Sequence, residues 1–129
     1  VLVHDAARPL LTSELVDAVL DGVEGADGAI AAAPAADTLK RAGEGGLIED
    51  TVPRQGLWAA QTPQAFHLPT LVAAVEAADA AGTLAAATDC ASLVEAAGGR
   101  VRLVESRAPN LKVTTPADAT LAEALLRAR

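Results

Sequence analysis

The sequence contains no methionine and no tyrosine, and it has only one cysteine, one tryptophan and one phenylalanine. A single cysteine excludes an internal disulfide and a zinc site built from several cysteines, and it favours a reducing compartment. No apolar run reaches the roughly 18 residues that a membrane-spanning helix needs, and no signal or transit peptide is recognisable. We therefore expect a cytoplasmic protein that does not span a membrane.

Basic residues are also scarce, since Lys and Arg number 10 against 17 Asp and Glu, for a net charge of −7. This balance argues against a general nucleic-acid surface and against binding to an anionic membrane. Basic residues that converge on an anionic small molecule remain possible. With 51% hydrophobic and 21% charged residues in 129, the composition is typical of one globular domain.

The missing methionine bears on the start of the chain. The apolar, β-branched run Val1–Val3 is typical of the middle of a buried, parallel-type strand. We therefore expect a fragment of a longer chain, with a processed terminus as the alternative.

Hydrophobic periodicity predicts strands that alternate with helices. The predicted strands cover residues 1–3, 29–33, 100–106 and 111–114. The predicted helices begin near residues 13, 68, 89 and 116 and end near residues 22, 81, 97 and 128. Residues 53–64 carry no predicted element. The alternation favours an α/β domain with a mostly parallel sheet.

Residues 37–52 predict a β-hairpin, because two extended segments flank the glycine-rich turn Ala42–Gly46. Both of its strands are mostly polar, so the hairpin has little to add to the core. A two-stranded hairpin alone is marginal in water. An interface is one way to stabilise it.

Polar residues that follow strands are candidates for a site, because ligands of open α/β sheets bind beyond the carboxyl ends of the strands. The candidates are Asp5, Arg8, Thr38, Lys40, Thr62, Thr88, Asp89, Lys112 and Thr114. Cations for phosphate oxygens, together with one carboxylate for hydroxyl groups, suit a phosphorylated polyol.

Several of these candidates also have a purely structural interpretation. Asp5 and Arg8 can be a loop residue and its surface partner, and Thr88 alone is more typical of a helix cap. Arg54 can stack on the indole of Trp58.

The two histidines and the cysteine have no spacing that indicates chemistry. His4 and His67 lack metal-ligand spacing, which favours core or surface roles, and Cys90 is typical of a small buried residue.

Six segments, taken together, resemble one enzyme family, the 2-C-methyl-D-erythritol 4-phosphate cytidylyltransferases. In order and spacing these are His4–Pro9, Asp37–Lys40, Pro53–Trp58, Gln61–Phe66, Thr88–Asp89 and Asn110–Thr114. The resemblance covers nearly the whole chain. The ribitol-5-phosphate cytidylyltransferases share much of the pattern, but Ala-Ala-Arg-Pro and the Gly-Leu-Trp after Arg54 favour the methylerythritol enzyme.

The resemblance implies a Rossmann-like fold with helices on both faces of the sheet, and a homodimer in which a hairpin arm, residues 37–52, embraces the partner. It implies a nucleotidyltransferase of the non-mevalonate (methylerythritol phosphate) pathway of isoprenoid biosynthesis. A phosphate oxygen of methylerythritol phosphate would attack the α-phosphorus of CTP, with Mg²⁺, and release pyrophosphate. The metal ligands stay unassigned.

The resemblance also implies roles for particular residues. Arg54 and Lys112 would be catalytic, and Asp5, Ala6 and Lys112 would contact the nucleotide. The implied substrate-binding set is Asp5, Arg8, Thr38, Thr62, Thr88 and Lys112. Thr38 and Arg54, which lie in or next to the hairpin arm, would reach the site of the partner subunit.

One departure from the family pattern is large, because its glycine-rich loop that cradles the CTP triphosphate has no counterpart here. We therefore expect residues 1–129 to be the C-terminal portion of one nucleotidyltransferase domain, incomplete at its N-terminus and inactive in isolation. The alternatives are a ribitol-5-phosphate cytidylyltransferase and a catalytically inactive dimerisation or binding fragment.

Overall fold

The computed structural model describes residues 1–129 and contains six strands and four α-helices. The strands are β1 (Leu2–Val3), β2 (Gly28–Pro34), β3 (Leu39–Ala42), β4 (Ile48–Val52), β5 (Trp58–Phe66) and β6 (Val101–Glu105). The helices are α1 (Ser13–Gly22), α2 (Leu68–Ala80), α3 (Cys90–Ala96) and α4 (Pro116–Arg127). None of these helices has the length and apolar character needed to cross a membrane.

The main sheet has four strands in the order β1-β5-β2-β6. Strand β5 runs antiparallel to both of its neighbours, β1 and β2, whereas β2 and β6 are parallel. Three strands therefore point the same way and one opposes them. The predicted α/β fold is confirmed, but the sheet, which was predicted to be mostly parallel, is mixed, with two antiparallel pairs and one parallel pair.

Strand β2 explains why helices cover both faces of the sheet. Its side chains alternate between two buried faces, as expected for a central strand. Ala29 and Ala31 pack with Val19 of α1 on one face. Ile30 packs on the other face with Val94 of α3 and with residues of α2 and β5. The predicted two-sided layering is thus confirmed.

Three helices begin where their capping residues predict. The side chains of Thr12, Asp89 and Thr115 each accept a hydrogen bond from the backbone N–H three residues later. Asp89, rather than Thr88, is the N-cap of α3. In α4, the Asp118 carboxylate accepts a hydrogen bond from the backbone N–H of the cap residue, Thr115. Hydrogen bonds from the backbone and hydroxyl of Thr114, followed by those from Thr115, lower the pKa of Asp118 to about 2.

One strand prediction was wrong, and another was right about the strand but wrong about its burial and its parallel pairing. β1 lies at the sheet edge and pairs antiparallel with β5, so Val1 and Val3 are 50% and 36% exposed instead of buried. Residues 111–114 do not form a strand. After β6 the chain turns away from the sheet, and the Val113 N–H donates to the carbonyl of Ala7, 2.8 Å away, in the loop after β1.

Strand β5 was not predicted, because residues 53–64 lack regular alternation. Ile30 pairs with Gln64 and Ala32 pairs with Ala60, so three residues of β5 lie opposite the single residue Ala31. Such a bulge disrupts the ladder and redirects the side chains within it. The bulge places Thr62 beside the loop that follows β1.

The predicted hairpin is present as a separate two-stranded sheet of β3 and β4. Leu39 pairs with Val52 and Lys40 pairs with Thr51. Neither strand joins the main sheet, and the residues at the turn are open to solvent, with Ile48 66% exposed.

Candidate active site

The loop after β1 and the bulge of β5 meet at the hydroxyl of Thr62. The backbone N–H of Asp5 donates to Thr62 Oγ1 over 3.0 Å, and Nδ1 of His4 lies 3.1 Å from the same oxygen. Nε2 of His4 lies 3.0 Å from the carbonyl oxygen of Arg8. His4 therefore spans the loop and joins it to the strand.

An ion pair links this loop to the segment after β6. The Lys112 ammonium lies 2.8 Å from Asp5 Oδ2, and the Ala7 N–H donates to Asp5 Oδ1 over 3.0 Å. The hydrogen bond from Lys112, followed by that from Ala7, holds the pKa of Asp5 below its usual value of 3.8. The Lys112 side chain stays 50% exposed, so the ammonium is accessible to a ligand.

Asn110 is hydrogen-bonded to two other segments of the site, the loop after β1 and strand β5. The residue is only 5% exposed, and its amide nitrogen donates to the carbonyl of Thr62 over 2.8 Å and to Oε1 of Gln61 over 3.0 Å. Its backbone carbonyl accepts a hydrogen bond from Arg8 over 2.6 Å. Asn110 thereby fixes the start of the segment that carries Lys112.

Arg8 supplies positive charge from a partly buried position. Burial lowers the pKa of its guanidinium, and the charge of Asp5 opposes that shift. One guanidinium nitrogen is bound to Asn110, while Nε is buried without a hydrogen-bond partner. Arg8 thus adds a second positive charge near the Asp5–Lys112 pair.

The structure brings together Asp5, Arg8, Thr62 and Lys112, with Ala6 exposed in the same loop. We call His4, these five residues and Asn110 the β1-end cluster. Its charges suit an anion, because an ammonium has three donors and Asp5 takes only one of those on Lys112.

Three expected site residues lie outside the β1-end cluster. Arg54 is in the connection from β4 to β5, where its guanidinium donates to the carbonyl of Ala36. Thr38 is exposed just before β3, and Thr88 is exposed just before α3. No hydrogen bond or ion pair joins any of the three to Asp5 or Lys112.

Two members of the cluster were not predicted as site residues. The residue types of His4 and Asn110 gave no metal-ligand or nucleophile pattern. The available signal was position, since His4 is adjacent to Asp5 and Asn110 is two residues before Lys112. A concave surface of about 480 Å³ between α1 and residues 104–110 shares only Asn110 with the cluster.

Residues 1–129 offer few side-chain ligands for Mg²⁺, the metal that the resemblance implies. They contain no group of three or more His, Cys, Asp or Glu side chains that could hold a metal ion. The cluster's single carboxylate, that of Asp5, already accepts hydrogen bonds from Lys112 and Ala7. These side chains do not fit a protein cage for Mg²⁺.

Comparison with known proteins identifies the family. The family model of 2-C-methyl-D-erythritol 4-phosphate cytidylyltransferase matches residues 1–128. The chain belongs to this cytidylyltransferase family. The resemblance noted from the six sequence segments is thus confirmed, whereas the expected placement of the chain as a C-terminal portion is not.

Similar cytidylyltransferases agree in both sequence and fold. Those of Halorhodospira halophila and Bacillus licheniformis are 52% and 47% identical over 130 and 128 residues, which cover 100% and 99% of this chain. The crystal structure of the Thermus thermophilus cytidylyltransferase superposes with a TM-score of 0.86 at 42% identity, covering 98% of this chain and 61% of that one. The matches cover 52% and 54% of the two relatives, so the chain spans about half of their length.

Proposed function

We propose that this chain carries the substrate-phosphate side of a cytidylyltransferase site, in a protein that transfers the cytidylyl group of CTP to 2-C-methyl-D-erythritol 4-phosphate. The observation that carries the proposal is the Asp5–Lys112 pair at the end of β1, next to the hydroxyl of Thr62. Family membership and the names of the similar enzymes supply the reaction.

In the proposed mechanism Lys112 neutralises phosphate charge. Asp5 orients the ammonium through the 2.8 Å contact, which leaves two of its donors for phosphate oxygens. Arg8 adds positive charge from behind, in a protein whose overall field, at a net charge of −7, repels anions. Phosphoryl-type transfer depends mainly on positioning and charge stabilisation, so these groups suffice for this side of the site.

We further propose that Arg54 and Thr38 act on the site of a partner subunit, with the hairpin 37–52 as the dimerisation arm. Two observations support this. Both residues lie at the base of the arm and have no hydrogen bond to the Asp5–Lys112 pair, and the arm itself adds nothing to the main sheet. Thr88, exposed before α3, is proposed to complete the substrate site from the same protomer.

Ala6 is proposed to contact the ribose of CTP together with Asp5, because it is exposed in the same loop. Mg²⁺ is the metal that the family implies, yet the described side chains do not fit a metal cage, and no step of the proposed mechanism depends on it. A cytoplasmic location is proposed, since a chain with a single cysteine, Cys90, is typical of a reducing compartment.

A mixed-dimer experiment tests both proposals in the intact protein. Lys112→Ala and Arg54→Ala should each lower kcat/KM for CTP and methylerythritol phosphate by about 10²–10³-fold. If Arg54 acts across the dimer, mixing the two variants restores one intact site in each heterodimer. A random mixture should then regain about a quarter of wild-type activity.

Lys40→Ala is the matched control, because Lys40 donates to Thr51 within the arm and does not reach the cluster. Its activity should stay near that of the wild type. Near-normal rates in the Lys112 and Arg54 variants would refute their roles, and a mixture with no recovery would refute action across the dimer. A kcat/KM that is higher for ribitol 5-phosphate than for methylerythritol phosphate would show that ribitol 5-phosphate is the substrate.

A further inference from the structure

His4 is an ionisable residue in the β1-end cluster to which the proposed function gives no part. Its Nε2 lies 3.0 Å from the carbonyl oxygen of Arg8, and its Nδ1 lies 3.1 Å from Oγ1 of Thr62. A carbonyl oxygen can only accept, so Nε2 must carry the hydrogen. In the neutral imidazole Nδ1 is then an acceptor, and the hydroxyl hydrogen of Thr62 points to His4.

This arrangement limits what Thr62 can offer a ligand. The hydroxyl oxygen accepts from the Asp5 N–H over 3.0 Å, and its only hydrogen is used by His4. One lone pair remains. A phosphate oxygen is an acceptor as well, so Thr62 cannot donate to a phosphate in this state.

A proton taken from solvent by Nδ1 reverses the hydrogen bond. The imidazolium donates at both nitrogens, so Oγ1 of Thr62 accepts from His4 and from the Asp5 N–H, and its hydrogen turns toward the ligand. We propose that His4 is a positioning residue that sets the direction of the Thr62 hydrogen bond. Thr62 then donates to the substrate phosphate only when His4 is protonated, an inference that rests on the proposed function.

The charges around His4 fit a coupling between phosphate binding and proton uptake. Asp5 and Arg8 lie on the same loop as His4, and Lys112 comes from the segment after β6. Strand β5, which carries Thr62, has no ionisable side chain from residue 58 to residue 66. A bound phosphate dianion adds negative charge to this group and favours the imidazolium.

Calorimetry on the intact protein measures this coupling directly. Methylerythritol phosphate is titrated into the protein at pH 7.5 in two buffers of different ionisation enthalpy. At this pH the phosphate, with a second pKa of about 6, is already a dianion and takes up no proton itself. The difference in heat should show uptake of up to about one proton per site. Affinity should fall by up to about tenfold between pH 7 and pH 8.

His4→Gln is the informative variant, because glutamine keeps one donor and one acceptor but does not titrate in this range. Its proton uptake should disappear, and its affinity should not change with pH. His67→Gln is the matched control, since His67 is the other histidine of the chain, is exposed, and caps α2 without a side-chain hydrogen bond. It should keep both the uptake and the pH dependence.

The outcomes separate this proposal from the proposed function. Binding without proton uptake, or an uptake that survives in His4→Gln, would overturn the role of His4 and leave the substrate assignment intact. Failure of the wild type to bind methylerythritol phosphate would overturn both. If His4→Gln does not fold, ¹⁵N spectra of His67→Gln, in which His4 is the only histidine, provide the test. The His4 ring should carry hydrogen on Nε2 alone in the free protein and on both nitrogens in the complex. A spectrum that does not change on binding would refute the proposal.

Discussion

The ammonium of Lys112 lies 2.8 Å from Oδ2 of Asp5, and this contact joins the segment after β6 to the loop after β1. Together with the Ala7 N–H, it lowers the pKa of Asp5 below 3.8. Because the pKa of Asp5 is lowered on folding, the contact stabilises the fold at pH values above the pKa of Asp5 in the unfolded chain. This contribution is lost as the pH falls through the lowered pKa of the folded state. The contribution is therefore fully present at neutral pH, and its pH dependence is confined to acidic pH.

Replacing Lys112 by methionine should raise the pKa of Asp5 back toward 3.8, because the largest cause of the shift is removed. An NMR titration of the Asp5 carboxyl carbon in the intact protein measures the change. Lys40→Met removes the same charge from the hairpin and should leave the pKa of Asp5 where it is. An equal pKa in the wild type and Lys112→Met would show that the ion pair does not form in solution.

Asn110 should contribute to stability through its buried hydrogen bonds. Asn110→Ala leaves the carbonyl of Thr62 and the amide oxygen of Gln61 without their donor, which should lower the free energy of unfolding by about 1–3 kcal/mol. Denaturant unfolding of the intact protein gives the value. Ser106→Ala, which removes an exposed 3.2 Å bond to Ala108, should change stability by less than about 0.5 kcal/mol. Equal losses in the two variants would contradict the structural role of Asn110.

The sequence predicted the elements that depend on local signals. The helix N-termini follow capping residues, the hairpin follows its glycine-rich turn, and β2 follows an apolar run that ends at Pro34. Strand β5 was missed because its bulge at residues 61–63 breaks the alternation by which strands are predicted. The antiparallel edge position of β1 could not be predicted either, because β5 is the only strand with which β1 pairs.

The site could be predicted in part, for a similar reason. Asp5 and Lys112 stand out as charged residues at predicted strand ends, but they are more than a hundred positions apart in the sequence. Their contact requires a fold in which the chain after β6 returns to the loop after β1. The support from Asn110 and His4 depends on distances of about 3 Å across these segments, and no local pattern encodes those distances.

The hairpin should carry the proposed dimer contact through its exposed apolar turn. Leu47 and Ile48 are 75% and 66% exposed, and burying each would contribute roughly 1.5–3 kcal/mol to association. Leu47→Lys with Ile48→Lys should therefore shift the intact protein toward monomer in light scattering, with an unchanged circular dichroism spectrum. Leu20→Lys, at a position 48% exposed on α1, is the control and should not change the mass. A double variant with the wild-type mass would exclude this surface as the interface.

A side chain at Gly28, at the start of β2, should destabilise the fold, because the ring of Phe66 occupies the space. A Cβ there would lie 2.3 Å from Cδ1 of Phe66 and 3.0 Å from the carbonyl oxygen of Ala65. Gly28→Ala should cost about 1–3 kcal/mol of stability, as overpacked core substitutions do. Gly43→Ala is the control, since its nearest neighbour would be Cβ of Glu49 at 3.5 Å, an ordinary contact. Denaturant midpoints in the intact protein compare the two variants. If adding Phe66→Leu to Gly28→Ala recovers part of the lost stability, the ring of Phe66 is the cause of the loss. A denaturation midpoint of Gly28→Ala as high as that of Gly43→Ala would show that the strand accommodates the methyl group without loss of stability.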